Sequence, residues 1–368
     1  MLRRRIISIL TIFSLVTTGI SIGISTSSFA AAPPASIAVT STPYAQLPSS
    51  DGQNYAGQMA SDPAGNLYIG DRRNCAVYVV YAEHPLATAT ILPNTSGDWC
   101  GDSKDAIYGL AYAHINGTSV LIETSGEAPG VFEIPLNGIS APFKVATTSG
   151  SANLSYNAAT DTLVSASFAT NFYVYPSFSQ CTTAAPCTGS EITVTGGGRN
   201  IWGIALSGST IYVPSDSNLF GTAPLTGGAL ALYGTPSGFN TFATDSAGNV
   251  FEMNSSGNFW EIPAGTTSAI PLTFAAPLPD NAVGSNYAMT CSNGSLYALN
   301  NTGTRQITKI SGPLIMSDSC VTDESSTTGL PSTGNNLTSS LVLALGLLSL
   351  GCLIVRTRPR DHRTEVVS

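Results

Sequence analysis

Five polar side chains are spaced along the chain so that they could form one ligand-binding ring. Four are asparagines that stand eight residues before a turn, Asn153, Asn200, Asn240 and Asn286. Asp105 precedes another turn at a spacing of twelve. Amide groups both donate and accept hydrogen bonds, so this polar ring could hold a polar ligand such as a sugar. The alternative is structural, because asparagine is a common turn residue at the start of a strand.

No motif in the sequence assembles a catalytic site. His84 and His114, the histidines outside the C-terminal tail, form no spaced pair, and no Ser/His/Asp order, HExxH motif or phosphate loop is present. Asp71 and Asp216 follow two predicted strands; they could add acidity to the same face or be solvated turn residues. We expect a binding protein rather than an enzyme, without a cofactor. A divalent cation such as calcium is the alternative, but it prefers carboxylates, and only Asp105 supplies one.

The elements that would position these side chains repeat along the chain. Asn240 to Gly265 holds three short β-type runs separated by turn clusters, which indicates an antiparallel meander. Six turn residues align at intervals of 52, 44, 47, 40 and 46 residues: Gly65, Gly117, Asp161, Gly208, Gly248 and Gly294. This spacing is typical of propeller blades. The sequence predicts an all-β, six-bladed β-propeller of four-stranded antiparallel blades over residues 36–318, with the polar ring starting the innermost strands at one channel mouth.

Closure of the propeller requires one strand from an end of the domain. The N-terminal run Ser36 to Thr42 is expected to complete the blade whose other strands lie between Tyr287 and Ile310. The alternative is that Pro313 to Met316 fills the same position.

Two of the units resemble known propeller repeats. SDPAGNLYIGD, from Ser61 to Asp71, and TDSAGNVFEMN, from Thr244 to Asn254, are similar to NHL-type repeats. The resemblance covers about residues 54–311 and implies a fold that proteins of many functions share.

A shorter segment resembles an enzyme family. Asn200 to Leu206, NIWGIAL, is similar to the Asn-Gly-(apolar)-Ala unit of the gluconolactonase and senescence-marker family, in which such an asparagine can bind a divalent metal. The resemblance implies Asn200 as a ligand and a metal-dependent lactonase or lyase as the alternative function. Virginiamycin-lyase-like propellers depend on an essential histidine, for which this chain has no clear equivalent.

The N-terminus has the layout of a secretory signal peptide. Met1 to Arg5 contains three arginines, Ile6 to Ile24 is apolar, and small residues precede a predicted cleavage after Ala30. Residues 1–30 are thus a predicted signal helix, and a retained anchor is the alternative.

The C-terminus resembles the LPxTG sorting signal of Gram-positive surface proteins. The motif consists of Leu330, Pro331, Ser332, Thr333 and Gly334. A predicted transmembrane helix at residues 337–355 and a basic tail at 356–368 follow it, and a short Ser/Thr-rich linker at 319–329 precedes it. The resemblance implies that a sortase cuts between Thr333 and Gly334 and joins the threonine to peptidoglycan. An ordinary membrane anchor is the alternative.

Six of the seven cysteines lie in the exported part: Cys75, Cys100, Cys181, Cys187, Cys291 and Cys320. The oxidising exterior favours disulfides, and six cysteines allow fifteen pairings. Sequential pairing is expected, since the first two lie in loops on one face of a blade, the second two share one loop, and the last could tie down the segment that leaves the propeller. Free thiols or a metal site are the alternatives.

The formal charge of the exported part restricts which partners it could bind. Residues 32–329 carry 20 acidic and 7 basic side chains, a formal charge of −13, which argues against nucleic acid. The expected partners are a sortase, peptidoglycan and an unidentified extracellular ligand of a secreted, wall-anchored protein.

Overall fold

The computed structural model describes residues 35–48, 56–71, 76–95, 107–125, 130–148, 153–166, 171–196, 203–214, 220–233, 241–254, 256–276, 278, 287–300 and 305–314. The chain divides into two units, residues 1–34 and 35–368, and every described residue belongs to the second. The predicted signal peptide, linker, sorting motif, transmembrane helix and basic tail lie outside the described residues. Within the described ranges, no helix is long and apolar enough to cross a membrane.

The described part of the chain contains 26 strands and three short 3-10 helices. The strands, β1 to β26 in chain order, are Ile37–Gln46, Ala56–Ser61, Leu67–Asp71, Val77–Val80, Thr90–Ile91, Ile107–Ile115, Thr118–Ser125, Val131–Pro135, Phe143–Thr147, Leu154–Asn157, Thr162–Ala166, Asn171–Pro176, Cys187–Thr188, Ser190–Thr195, Ala205–Ser207, Thr210–Pro214, Phe220–Pro224, Gly228–Ala229, Ala231–Tyr233, Thr241–Thr244, Val250–Met253, Phe259–Ile262, Ile270–Phe274, Tyr287–Ser292, Ser295–Asn300 and Gln306–Ser311. The 3-10 helices are Pro93–Thr95, Ala158–Thr160 and Phe178–Gln180.

Hydrogen bonding joins these strands into five sheets. Two sheets have four strands, β2-β3-β4-β5 and β15-β16-β17-β19. Two have five, because a short strand adds in parallel to the outer strand of a meander: β13-β9-β8-β7-β6 and β10-β11-β12-β14-β18. The fifth has eight strands in the order β20-β21-β22-β23-β1-β26-β25-β24. The all-β, propeller-like arrangement is confirmed.

The prediction of six separate four-stranded blades is wrong in one respect. Two of the predicted blades share the eight-stranded sheet, because β1 bonds to a strand of each. Ile37 to Val39 pair in parallel with β23, and Thr40 to Gln46 pair antiparallel with β26. Four smaller sheets and one eight-stranded sheet result.

The aligned turn residues share one backbone conformation. Their φ angles are all positive: Gly65 89°, Gly117 78°, Asp161 47°, Gly208 57°, Gly248 85° and Gly294 67°. Each lies between the first and second strands of a meander, in what we call the anchor turns. Positive φ is costly for residues that carry a Cβ atom, so glycine supplies five of the six positions. The repeat alignment is confirmed at these turns.

The hydrophobic core lies between neighbouring meanders. On β7, Leu121 packs with β3 and β4 residues of the preceding meander, whereas Ile122 packs with Leu163 and Tyr175 of the following one. Successive side chains of a strand point to opposite faces, so a central strand buried on both faces carries a continuous apolar run.

The N-terminal strand connects three meanders. Besides its pairing with β26 and β23, its last residue contacts the first meander, where Ala89 N donates to Gln46 O at 2.9 Å. Leu47 N donates to Arg305 O at 3.1 Å. The prediction that the N-terminal run completes the last meander is confirmed, and the strand extends beyond the predicted Thr42 to Gln46.

Candidate functional site

A cavity of about 550 Å³ lies between the first strands of the meanders, β2, β6, β10, β15, β20 and β24. Residues of all six strands line it, together with the anchor turns that follow β10, β15 and β20. The cavity therefore reaches the ends of the first strands, whereas the polar ring was predicted at their beginnings. Its volume is within the range of small-molecule sites.

Gln58 connects three first strands at the wall of this cavity. Its Oε1 accepts hydrogen bonds from Leu110 N on β6 at 3.1 Å and from Leu154 N on β10 at 3.2 Å. A first strand has one edge without a strand partner, so its backbone groups need other partners. Two N–H donors on one side-chain atom identify that atom as the oxygen. The Nε2 group of Gln58 has no partner among the described residues, although the side chain is only 8% exposed.

Three serines of the first strands also bond to neighbouring meanders. These bonds join Ser155 Oγ to Leu206 N (3.0 Å), Ser61 Oγ to Cys291 O (2.6 Å) and Ser207 Oγ to Gly248 O (2.7 Å). Ser155 accepts in its bond, so its hydroxyl can still donate. Ser61 and Ser207 donate in theirs, so their oxygens can still accept. The cavity wall therefore keeps hydrogen-bonding capacity after its own backbone groups are satisfied.

One carboxylate, that of Asp245, lines the described part of the cavity. Both of its oxygens accept hydrogen bonds within a turn. Asp245 accepts from Asn249 N at 2.8 Å and from Asn249 Nδ2 at 2.7 Å. Asp62 and Asn66 repeat this arrangement at 2.9 and 2.7 Å. The two segments that resemble NHL repeats therefore share an Asp–Asn turn. No lysine, arginine or histidine lines the cavity among the described residues.

The predicted polar ring is described at one position only. Asn153 is 8% exposed and directly precedes β10, and its carbonyl accepts from Ala166 N at 2.8 Å. It does not line the cavity, although the next residue, Leu154, does. Asp105, Asn200, Asn240 and Asn286 lie outside the described residues, so the ring stays a prediction.

The histidines do not contribute to the cavity. His84 is exposed and lies 3.6 Å from Glu83, which is exposed as well. His114 Nδ1 lies 3.4 Å from Ser119 Oγ on the surface. Nowhere in the described ranges do three or more histidine, cysteine, aspartate or glutamate side chains converge as metal ligands would.

Asp71 is buried, contrary to its interpretation as a solvated turn residue. It ends β3, is 2% exposed, and lies near Tyr78 and Arg305. Burial is the main factor that raises the pKa of Tyr78 and lowers that of Arg305, while the charge of Asp71 opposes the change at the arginine. The N-terminal segment contacts the same arginine, since Arg305 Nη1 donates to Pro48 O. Asp216 lies outside the described residues.

Two of the four described glutamates that are buried away from the cavity, Glu123 and Glu133, lie on the adjacent strands β7 and β8. Glu123 is fully buried, and neither of its carboxyl oxygens has a hydrogen-bond partner. Burial raises its pKa well above the usual range. Burial likewise raises the pKa of Glu133 to about 7. Both groups are therefore held toward the neutral form.

The disulfides are described in part. Cys181 and Cys187 are bonded to each other, the pair predicted for their shared loop. Cys291 is also disulfide-bonded, to a cysteine beyond the described residues. The predicted positions Cys75, Cys100 and Cys320 lie outside the described ranges.

Sequence analysis did not identify Gln58 or the three serines as site residues. The available signal was their position, because each is a polar residue in a short first strand that also carries apolar or small residues. Turn spacing locates the beginnings and ends of those strands. It does not reveal which of their side chains bond across the cavity.

Solved structures of low sequence identity have a similar fold. The PQQ-bound form of aldose sugar dehydrogenase (Adh) from Streptomyces coelicolor has a TM-score of 0.52 and 15% identity, over 76% of this chain and 99% of that chain. A streptogramin B lyase has a TM-score of 0.50 and 11% identity, over 74% of this chain and 98% of that one. A protein of unknown function from Bacteroides thetaiotaomicron has a TM-score of 0.50 and 8% identity, over 74% of this chain and 76% of that one.

At these identities the similarity shows the fold alone. No protein-family model and no curated protein matches the chain.

Proposed function

We propose that the chain is a secreted surface protein, anchored to the Gram-positive cell wall, whose propeller binds a ligand or partner at a mouth of its central cavity. The observation that carries the binding function is the cavity of about 550 Å³ between the first strands. Its wall offers hydrogen-bonding groups beyond those that the fold itself uses. We count the eight-stranded sheet as two blades, so that six meanders surround the cavity.

The order of sequence signals supports wall anchoring. A signal peptide precedes the propeller, and the LPSTG motif, an apolar segment and a basic tail follow it in the order that sorting requires. A five-residue match alone would be weak. All four signals on one chain make attachment through Thr333 the best-supported interpretation.

Thr333→Ala tests the anchor. We expect the variant to be secreted but not attached, because a sortase could no longer form the acyl bond at this threonine. The measurement is muramidase-dependent release of the protein from cell walls, and Ser332→Ala, which changes the variable motif position, is the matched control. Unchanged release of the Thr333 variant would refute the sorting assignment.

The competing function is a metal-assisted lactonase or lyase, which the resemblance at Asn200 suggests. Calorimetric titration of the full chain with calcium distinguishes the two, since asparagine-rich sites should bind calcium weakly. Micromolar affinity would favour the enzyme. A screen against cell-wall glycans and extracellular matrix proteins, with and without calcium, tests the binding function itself.

A further inference from the structure

The wall of the cavity presents hydrogen-bond donors that the fold leaves unused. Gln58 Nε2 carries two N–H groups without a partner among the described residues. Ser155 is 7% exposed, and its hydroxyl accepts from Leu206 N while its own hydrogen stays available. Thr290 is 8% exposed, and its hydroxyl also has no partner in the part of the chain that the structure describes. These groups line the cavity, so they can donate hydrogen bonds to a ligand bound there.

The cavity wall also presents acceptors. Ser61 and Ser207 are the last residues of β2 and β15, and their hydroxyl hydrogens are bonded to Cys291 O and Gly248 O. Only their oxygen lone pairs remain for a ligand. The site therefore favours a molecule that both accepts and donates hydrogen bonds.

Charge and shape narrow the ligand class further. The oxygens of Asp245 are engaged by Asn249, and the described lining contains no cationic side chain. An anionic ligand would lose hydration without a counter-charge. Tyr112 and Tyr156 add partly buried aromatic rings to the lining, with their hydroxyls already bonded to Ser119 and Asp161. These rings provide apolar surface beside the polar groups.

We propose that the cavity binds an uncharged saccharide, with Gln58 Nε2 donating to an oxygen of the sugar. This assignment rests on the proposed binding function and names its ligand class. Sugar hydroxyls donate and accept at once, which matches a wall that presents both donors and acceptors. A purely apolar ligand would leave the Gln58 amide unpaired.

The test is calorimetric titration of the detergent-purified full chain with maltotriose, with the trimer of N-acetylglucosamine, and with trigalacturonate as the anionic arm. The decisive variant is Gln58→Glu, which keeps an acceptor for Leu110 N and Leu154 N but removes the amide donors. We expect at least one neutral trisaccharide to bind, trigalacturonate to bind more weakly, and Gln58→Glu to weaken neutral binding by about tenfold. Gln180→Glu, the same change on an exposed 3-10 helix away from the cavity, should leave affinity unchanged.

Each contrary outcome identifies which proposal fails. Neutral binding that Gln58→Glu does not weaken would overturn the cavity assignment. Binding of trigalacturonate or of a matrix protein, without any neutral saccharide, would overturn the ligand class and leave the proposed binding function standing. No binding to any glycan or protein would overturn both. If Gln58→Glu does not fold, Thr290→Val, which removes only a hydroxyl, must lower affinity by about threefold for the assignment to hold.

Discussion

At the scale of single residues, one unusual feature is a pair of carboxyl groups buried on the adjacent strands β7 and β8. Glu123 and Glu133 have no ion-pair partner among the described residues, and burial raises both pKa values. An unfolded chain would ionise these groups near pH 4.5, whereas the folded chain holds them neutral to higher pH. The folded protein therefore binds more protons than the unfolded chain over that interval, and stability must fall as pH rises through it.

Glu133→Gln should reveal this dependence. Below about pH 4.5 both states of the parent are protonated, so the variant and parent should be similarly stable. Between that pH and the folded pKa of about 7, the parent loses stability that the variant keeps. At pH 8 we expect the variant to be more stable than the parent by on the order of 2 kcal/mol. Converting the whole pKa shift at about 1.4 kcal/mol per unit would give a larger value, but solvent partly screens the group.

The measurement is denaturant unfolding of parent and variant from pH 4 to 8. Glu83→Gln, at a side chain that is 78% exposed, is the control and should show no such trend. A Glu133 variant whose advantage does not grow with pH would contradict the buried-carboxyl argument.

At the scale of elements, the first strands approach each other closely where they begin. A Cβ atom added at Gly57 on β2 would lie 2.1 Å from Ile107 O on β6. No real contact is that short, so the two strands can pack this way only when this residue is glycine. Gly138, in a turn, differs, since it has φ +68° but no heavy atom within 4 Å of an added Cβ atom.

Gly57→Ala and Gly138→Ala separate steric from conformational cost. Gly57→Ala should lower the free energy of unfolding by an amount near the upper end of the roughly 1–3 kcal/mol that overpacking costs, because backbone atoms must move to make room. The second should cost about 1 kcal/mol through its positive φ. Thermal unfolding followed by circular dichroism measures both, and a smaller loss for Gly57→Ala than for Gly138→Ala would show that the first strands separate easily.

Much of the element pattern follows from sequence, but the site does not. Anchor turns are predictable because a local requirement, positive φ, selects glycine, as at Gly65 and Gly248. Local sequence does not predict the two-residue strands β13 and β18, because they form only when a loop meets the outer strand of another meander. The role of Gln58 cannot be predicted from local sequence for the same reason, since its hydrogen-bond partners are 52 and 96 residues away. Contacts between meanders depend on the closed arrangement, not on local spacing.

At the scale of the whole described domain, closure joins the two ends of the propeller. Thr40 on β1 pairs with Ser311 on β26, 271 residues away. The N-terminal segment buries three large side chains, Ile37, Val39 and Leu47. At 1.5–3 kcal/mol each, their burial contributes about 5–9 kcal/mol as an upper bound. That is comparable to the whole stability of a typical domain.

Deleting residues 37–47 should therefore open the propeller. The edge of β26 would lose its strand partner and the apolar side chains beneath β1 would be exposed, so we expect self-association or loss of cooperative unfolding. Deletion of residues 31–34, which precede the strand, is the matched control and should preserve a single cooperative transition. A synthetic peptide of residues 36–48, added in excess, should restore the transition by filling the vacant strand position. Light scattering and thermal unfolding are the measurements. A monomeric deletion variant with an unchanged midpoint would mean that the remaining meanders hold the ring without β1, and the closure argument would then fail.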